Sequence, residues 1–372
     1  MNRRNIATFL SMLVCLLGSQ NISLQSWVPW VFKETKAASK IRRFVRWLEN
    51  NAIVIHTWHQ AILLYALRGW STRPIYLALD TSMLFDRFCC IRVSMIYLQR
   101  AIPVSWKVLE HKSSSVKFIQ YRSVLDQAYE ILSAKGVQII FLADRGFVSK
   151  ELMCYLSSQA RPWRIRIKAN QKLKCNGRSF TAGQVALFPG KAVVFPNGVY
   201  FGKGLEGLSF SAGWAKGASE PWYVLSDSGS GKEIFDDYAH RFDIEEGFRD
   251  EKGGGFDLES SRIREAKKLE RLILILATAE IFAVGEGVFV ISSGRRELVD
   301  SHWNQGLSFF QIGLRWIKEQ LLRGLIGIYF ELKPINNPLP IAPTRKESQR
   351  RRRRKDPAYL FSHILHFNAL DW

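Results

Sequence analysis

Cysteine is scarce in this chain. The five in 372 residues, Cys15, Cys89, Cys90, Cys154 and Cys175, form an odd set with no CxxC spacing. That argues against a disulfide framework and a thiolate zinc site, and for a reducing compartment. The histidines show no metal-ligand spacing either, and no internal repeat is present. No uninterrupted apolar run reaches the length of a spanning helix, about 20 residues, so the chain reads as soluble. The start, MNRRNIATFLSMLVCLLGS, has the charge-then-apolar outline of a signal peptide, but its run from Ile6 to Leu17 is short and broken by Thr8 and Ser11. A buried helix is the plainer reading, and an exported or membrane-associated protein would rest on these residues alone.

Acidic residues are also in short supply, 33 against 53 Lys and Arg, for a formal net charge of +20. Such an excess is the electrostatic footprint of a protein that meets a polyanion, nucleic acid first and an anionic membrane second. The run Arg345 to Lys355 holds eight basic residues and one Glu, so +13 remains without it and the excess is spread over the body of the chain. With 47% hydrophobic residues the chain can fill a sizeable core.

Residues 1–70 read as a helical domain, basic and aromatic in KIRRFVRWLENN, as a small DNA-binding bundle would be. The texture changes at STRPIYLALD. Pro74 blocks helix, and IYLAL is a short apolar run suited to a buried strand ending on Asp80. RFCCIRVSMIYL and AIPVSWKVLEH follow as strands, with a tight turn near Gln99 and Arg100. Val116 to Lys135 has helical spacing and ends at Gly136; VQIIFLAD then returns a buried strand ending on Asp144. These elements predict a mixed α/β sheet flanked by helices, with the Asp80 and Asp144 strands side by side. After a helix over Ser149 to Ser158 and a strand in RPWRIRIKAN, the chain becomes rich in Gly, Val and Phe. The expected divisions are 1–70, 71–173 for the first part of the α/β core, 174–228 for a β-rich insertion, 229–290 for the second part of the core, and 291–372 for a helical C-terminal region with a basic tail.

An acid at the end of an apolar strand is costly to bury unpaired. It serves as a helix cap or ion-pair partner in many proteins, but two on neighbouring strands make a pair of oxygen ligands for a divalent cation, Mg²⁺ in particular. HRFDIEEGFRDEKGGG offers a third. Tyr238, Arg241, Glu245 and Lys252 fall within about 60° of one another on a helix of 100° per residue, whereas Glu246, Asp250 and Glu251 point elsewhere. The carboxylate on that face can meet a metal while Arg and Lys meet phosphate oxygens. The same spacing is also that of a salt-bridged amphipathic helix with an Arg241–Glu245 pair, and the residues alone do not choose between the two. Arg145 suits either a phosphate or an acid partner. Arg164, Arg166 and Lys168 make one strand face basic, solvated by default and DNA-facing in the alternative. Trp214 and Trp222 suit core packing or insertion between bases.

LALDTS, FLADRGF and the order Tyr238-x2-Arg241-x3-Glu245-x6-Lys252 together resemble the IS4 family of bacterial insertion-sequence transposases, whose hallmark is that Tyr, Arg, Glu, Lys spacing. The resemblance covers roughly residues 40–270. It implies a ribonuclease H-like catalytic core in which Asp80, Asp144 and Glu245 bind two Mg²⁺ ions, with Mn²⁺ as a substitute. It also implies that Tyr238, Arg241 and Lys252 handle DNA backbone near the cut; Arg145, directly after Asp144, is a further candidate DNA contact from its position alone. The partners would be double-stranded DNA, both the element's terminal inverted repeats and the target, with a homodimer in the DNA complex and a bacterial cytoplasmic, nucleoid-associated location. The rival readings are a DNA-binding derivative that no longer catalyses and a metal-dependent nuclease without strand transfer.

Overall fold

The run IYLAL forms a strand, but not one that stops at Asp80. In the computed structural model, which describes residues 2–71, 73–229, 231–244, 255–300, 307–325, 330–334 and 363–366, β1 covers Ile75–Leu84. Its antiparallel partner β2 (Phe88–Tyr97) stays paired through Leu84↔Phe88 and carries the strand past Asp80. β2 turns into β3 (Arg100–Glu110) through Leu98 and Gln99, at φ of 49° and 63°, the two-residue hairpin in which both central residues are left-handed. The turn falls one residue earlier than expected. On the other side of β1, β4 (Ile139–Ala143) pairs in parallel only as far as Leu79↔Ala143. One edge of β1 is therefore released from β4 just where Asp80 follows.

β5 (Trp163–Arg166) adds in parallel to β4. The stretch after it supplies β6 (Lys172–Cys175), β7 (Arg178–Thr181), β8 (Lys191–Tyr200), β9 (Leu208–Gly213) and β10 (Trp222–Ser226). The strand order is β3-β2-β1-β4-β5-β10-β9-β8-β6-β7, with β11 (His363–His366) parallel to β8. The architecture is thus mixed α/β around one large mixed sheet, and the β-rich stretch extends that sheet instead of standing apart.

Four helices precede the sheet: α1 (Arg3–Ser19), α2 (Leu24–Trp27), α3 (Ala37–Glu49) and α4 (Ile55–Ala66). The apolar side of α1, including Phe9, Met12 and Leu16, is buried in the same continuous core that holds Leu77 and Leu79 of β1. α3 buries Phe44, Trp47 and Leu48 and leaves Arg42, Arg43 and Arg46 exposed. α4 packs His59 against β3, where its Nε2–H donates to Pro103 O at 2.8 Å and its ring meets Trp106 edge-on. Burial pushes this imidazole down to about 4 from the ordinary 6.5. The folded protein therefore holds His59 neutral while the unfolded chain protonates it. Stability from this group is complete above pH 6.5 and is lost as the pH falls toward 4, by up to about 3 kcal/mol. Urea denaturation at pH 7.5 and 4.5 should show His59→Gln losing less stability on acidification than the parent; equal losses would remove His59 as the cause.

α5 (Phe118–Ser133) covers the sheet face opposite the two aspartates, and α6 (Lys150–Ser158) starts on a Ser149 side chain that accepts from Leu152 N. α7 (Lys232–Ala239) then ends in a 3₁₀ turn, His240–Phe242. α8 (Ala266–Ser292) is long and apolar enough to cross a membrane by composition, yet 89% of its apolar window is buried inside the protein, as in a core helix. It is crossed by α9 (Phe309–Leu322) at very short range. A Cβ on Gly313 would lie 1.7 Å from Ala283 O, and one on Gly287 1.9 Å from Phe309 O. The expected C-terminal basic tail, including Arg345 to Lys355, lies outside the described residues.

Candidate active site

Register places the site. Leu79 pairs with Ala143, and Ala143 with Ile165, so the residues that follow them, Asp80 within β1, Asp144 just past the end of β4 and Arg166 at the end of β5, come next to this last shared level of three parallel strands. Parallel strands lie about 4.8 Å apart, and residues at one level share a face. Asp80 is also paired with Arg92 of β2, so the row reads Arg92, Asp80, Asp144, Arg166. Two carboxylates are flanked by two guanidiniums. Arg92 is 1% exposed and was not singled out from sequence, although an arginine inside the otherwise apolar RFCCIRVSMIYL was the available signal.

The same face carries Ala78, Ile96, Ile140 and Leu142 in a separate apolar cluster, and Ile244 packs onto it. The segment after α7 is therefore docked on the aspartate side of the sheet. The continuous α-helix expected from Tyr238 to Lys252 does not run unbroken through the described part, because the chain tightens into a 3₁₀ turn at His240. Residues three apart eclipse in such a turn, so Tyr238 and Arg241 keep a common side. Glu245 and Lys252 lie outside the described residues.

Asp80 Oδ1 accepts from Thr81 N at 2.7 Å. Asp144 Oδ1 accepts from the Tyr238 hydroxyl at 3.4 Å. Tyr238 is fully buried, and burial holds its phenol well above the ordinary range, so it remains a neutral donor to the carboxylate. Arg241 is 5% exposed with its guanidinium 4.5 Å from the Phe242 ring centroid. Trp222 stacks on that same ring at 5.1 Å and meets Tyr238 edge-on. Tyr238 and Arg241 are thus set into an aromatic wall beside Asp144. Trp214 donates its indole N–H to Ala218 O.

Of the expected basic face, Arg164 and Arg166 are buried, whereas Lys168, past the end of β5, is exposed. Arg164, 2% exposed, is held by Asp237 of α7 at 3.1 Å, and Asp237 Oδ1 accepts from the Tyr76 hydroxyl at 2.7 Å. This buried triad ties α7 to β5 and β1 and so fixes Tyr238 next to Asp144. Nothing in the sequence joins Arg164 to Asp237, since they meet only through the fold. Removing one partner of a buried pair strands the other charge, so Asp237→Ala should cost about 3 kcal/mol in urea denaturation. A loss below 1 kcal/mol would show that Asp227, 3.8 Å from Arg164, replaces it. Arg166 and Arg145 both bind Glu220, at 2.7 and 3.0 Å. Their hydrogen bonds, that of Arg166 foremost, hold the Glu220 carboxyl below the ordinary range.

Among the described residues no three His, Cys, Asp or Glu side chains come together in a way that could hold a metal ion. The described site supplies two carboxylates. Hard oxygen donors next to one level of adjacent strands suit a hard divalent cation, with remaining positions left to water or phosphate oxygens.

Residues 87–281, just over half of the chain, match the family described as Transposase DDE domain. The matched span includes Asp144 and the position of Glu245 and starts seven residues after Asp80. No curated protein matches the chain. A match to this family over more than half of the chain, on a mixed α/β sheet with Asp80 in β1 and Asp144 directly after its parallel neighbour β4, identifies the chain as a member of the DDE-domain transposase family, and thus as a DNA-processing enzyme.

Proposed function

We propose that the protein cleaves the ends of an insertion sequence and joins the freed 3′ ends to target DNA. In this reading Asp80, Asp144 and Glu245 bind two Mg²⁺ ions, with Mn²⁺ as a substitute, and the chain is an IS4-type enzyme carrying the Tyr238, Arg241, Glu245, Lys252 signature. The single observation that supports it best is that Asp80 and Asp144 directly follow the last paired level of β1 and β4. Packing of Ile244 onto the same face supports Glu245, its covalent neighbour, as the third carboxylate.

Divalent ions held by Asp80, Asp144 and Glu245 would supply Lewis-acid chemistry for a phosphoryl transfer. The protein's own part is positional and electrostatic. Asp80 and Asp144 gather negative charge at one point of a basic molecule. Tyr238 fixes the orientation of Asp144. Arg145 and Lys252 steer the phosphodiester backbone toward that point, with the buried Arg241 adding positive charge behind it. Residues 1–70 contribute a DNA-binding surface, supported by the exposed Arg42, Arg43 and Arg46 on the outer side of α3. The working form is a homodimer on paired terminal inverted repeats in the bacterial cytoplasm, at the nucleoid.

The test uses the purified full chain and a linear duplex bearing the inverted repeats that flank its gene. Cleavage at the repeat boundary with Mg²⁺, none with EDTA, and joining of the 3′ ends to a second duplex are expected. Cleavage without joining would reduce the function to that of a nuclease.

A further inference from the structure

Glu220 places a carboxylate where two arginines converge beside Asp144. Its Oε1 accepts from Arg166 Nη2 at 2.7 Å and its Oε2 from Arg145 Nη1 at 3.0 Å. Arg145 follows Asp144 in the chain, and Arg166 is the residue after Ile165, which pairs with Ala143 just before Asp144. A carboxylate bridging two guanidiniums presents the same pair of anionic oxygens as a phosphodiester, and arginine binds either group with the same fork. The bridge is open to solvent on one side, with the side chains of Arg145 and Glu220 45% and 47% exposed and that of Arg166 only 9%. Arg166 is therefore built in, with Pro221 O as a further acceptor at 3.3 Å, while Glu220 sits at the rim. Glu220 also lies in the connection between β9 and β10, outside both strands. Withdrawing its side chain breaks no ladder hydrogen bond, and its pair with Arg145, half-exposed on both sides, contributes little to stability.

We infer that Arg145 and Arg166 form a seat for one DNA backbone phosphate, that Glu220 fills this seat in the DNA-free protein, and that DNA reaches Asp144 only by displacing it. The inference rests on the proposed action on DNA and adds an internal competitor to it. Glu220 offsets one of the two arginine charges and occupies both forks until a polyanion arrives that outcompetes one carboxylate.

The full chain and Glu220→Gln are compared for binding to a linear duplex of fixed arbitrary sequence, by fluorescence anisotropy over a range of KCl concentrations. Glutamine keeps an acceptor for Arg166 and removes the charge. The variant should bind about fivefold tighter, and log Kobs should fall more steeply with log salt by about 1, one more phosphate being neutralised. Both gains should vanish when Arg145→Ala is added. Glu206→Gln, which removes another exposed charge from the same β-rich stretch, should change little; thermal melting confirms that each variant is folded. Equal affinity and slope for parent and Glu220→Gln would overturn the internal competitor alone, as would an equal gain from Glu206→Gln or a gain that survives loss of Arg145. Absence of DNA binding in parent and variant alike would overturn the functional reading and this inference with it.

Discussion

Asp144→Asn and Asp80→Asn should each cut DNA at least about 10³-fold more slowly than the parent, a loss of about 4 kcal/mol in transition-state stabilisation. The substitution is nearly isosteric. An asparagine oxygen at position 80 can still accept from Thr81 N, and one at 144 can still accept from the Tyr238 hydroxyl. What disappears is the negative charge that would hold a divalent ion between two strands. DNA affinity should be retained or rise, because a negative charge is removed from a basic protein. Single-turnover cleavage of a labelled duplex, with binding measured in parallel, separates the two effects. Cleavage within tenfold of the parent would remove that aspartate from the chemistry.

Gly313→Ala should destabilise the fold by about 4 kcal/mol or more, although intrinsic helix propensity alone would make the change favourable by about 1 kcal/mol. The sign is decided by packing. The added Cβ would fall 1.7 Å from Ala283 O and 2.8 Å from Gly287 N, backbone atoms of the facing helix that have no rotamer to change. α8 and α9 would have to separate along the crossing, pulling apart a shared core that holds Leu314 and Ile317 of α9 with Val284 and Val288 of α8. Overpacking of this kind is costly because well-packed interiors do not yield locally. Urea denaturation checks it, and a variant as stable as the parent would mean that the helices do not cross at backbone contact.

The parts of this structure legible in the sequence are those governed by local pattern. Apolar runs bounded by Pro74 and Gly136 formed the strands and helix expected, and the neighbouring strands that carry Asp80 and lead into Asp144 followed from two similar runs separated by a strand pair and a helix. The extent of β1 beyond Asp80 was not legible, because it depends on β2 pairing to Leu84↔Phe88 while β4 stops short. Helical phase over Tyr238 to Lys252 assumed an unbroken α-helix, and the 3₁₀ turn at His240 has no local breaker to announce it, no Gly or Pro lying between Lys232 and Phe242. Charged residues were the least legible. An arginine carries no mark of its partner. Arg164 meets Asp237 across 73 positions, Arg166 meets Glu220 across 54, and Arg92 comes beside Asp80 only through ladder register.

The most direct test is a titration of Mn²⁺, followed by electron paramagnetic resonance, into the complex of the full chain with end DNA. The parent complex should bind Mn²⁺ beyond what the same DNA takes up alone, and Asp80→Asn and Asp144→Asn should each weaken that binding by about tenfold or more, equivalent to about 1.4 kcal/mol. Retention of the parent's Mn²⁺ affinity by both variants would contradict the assignment of the paired aspartates as the metal-holding centre of this transposase.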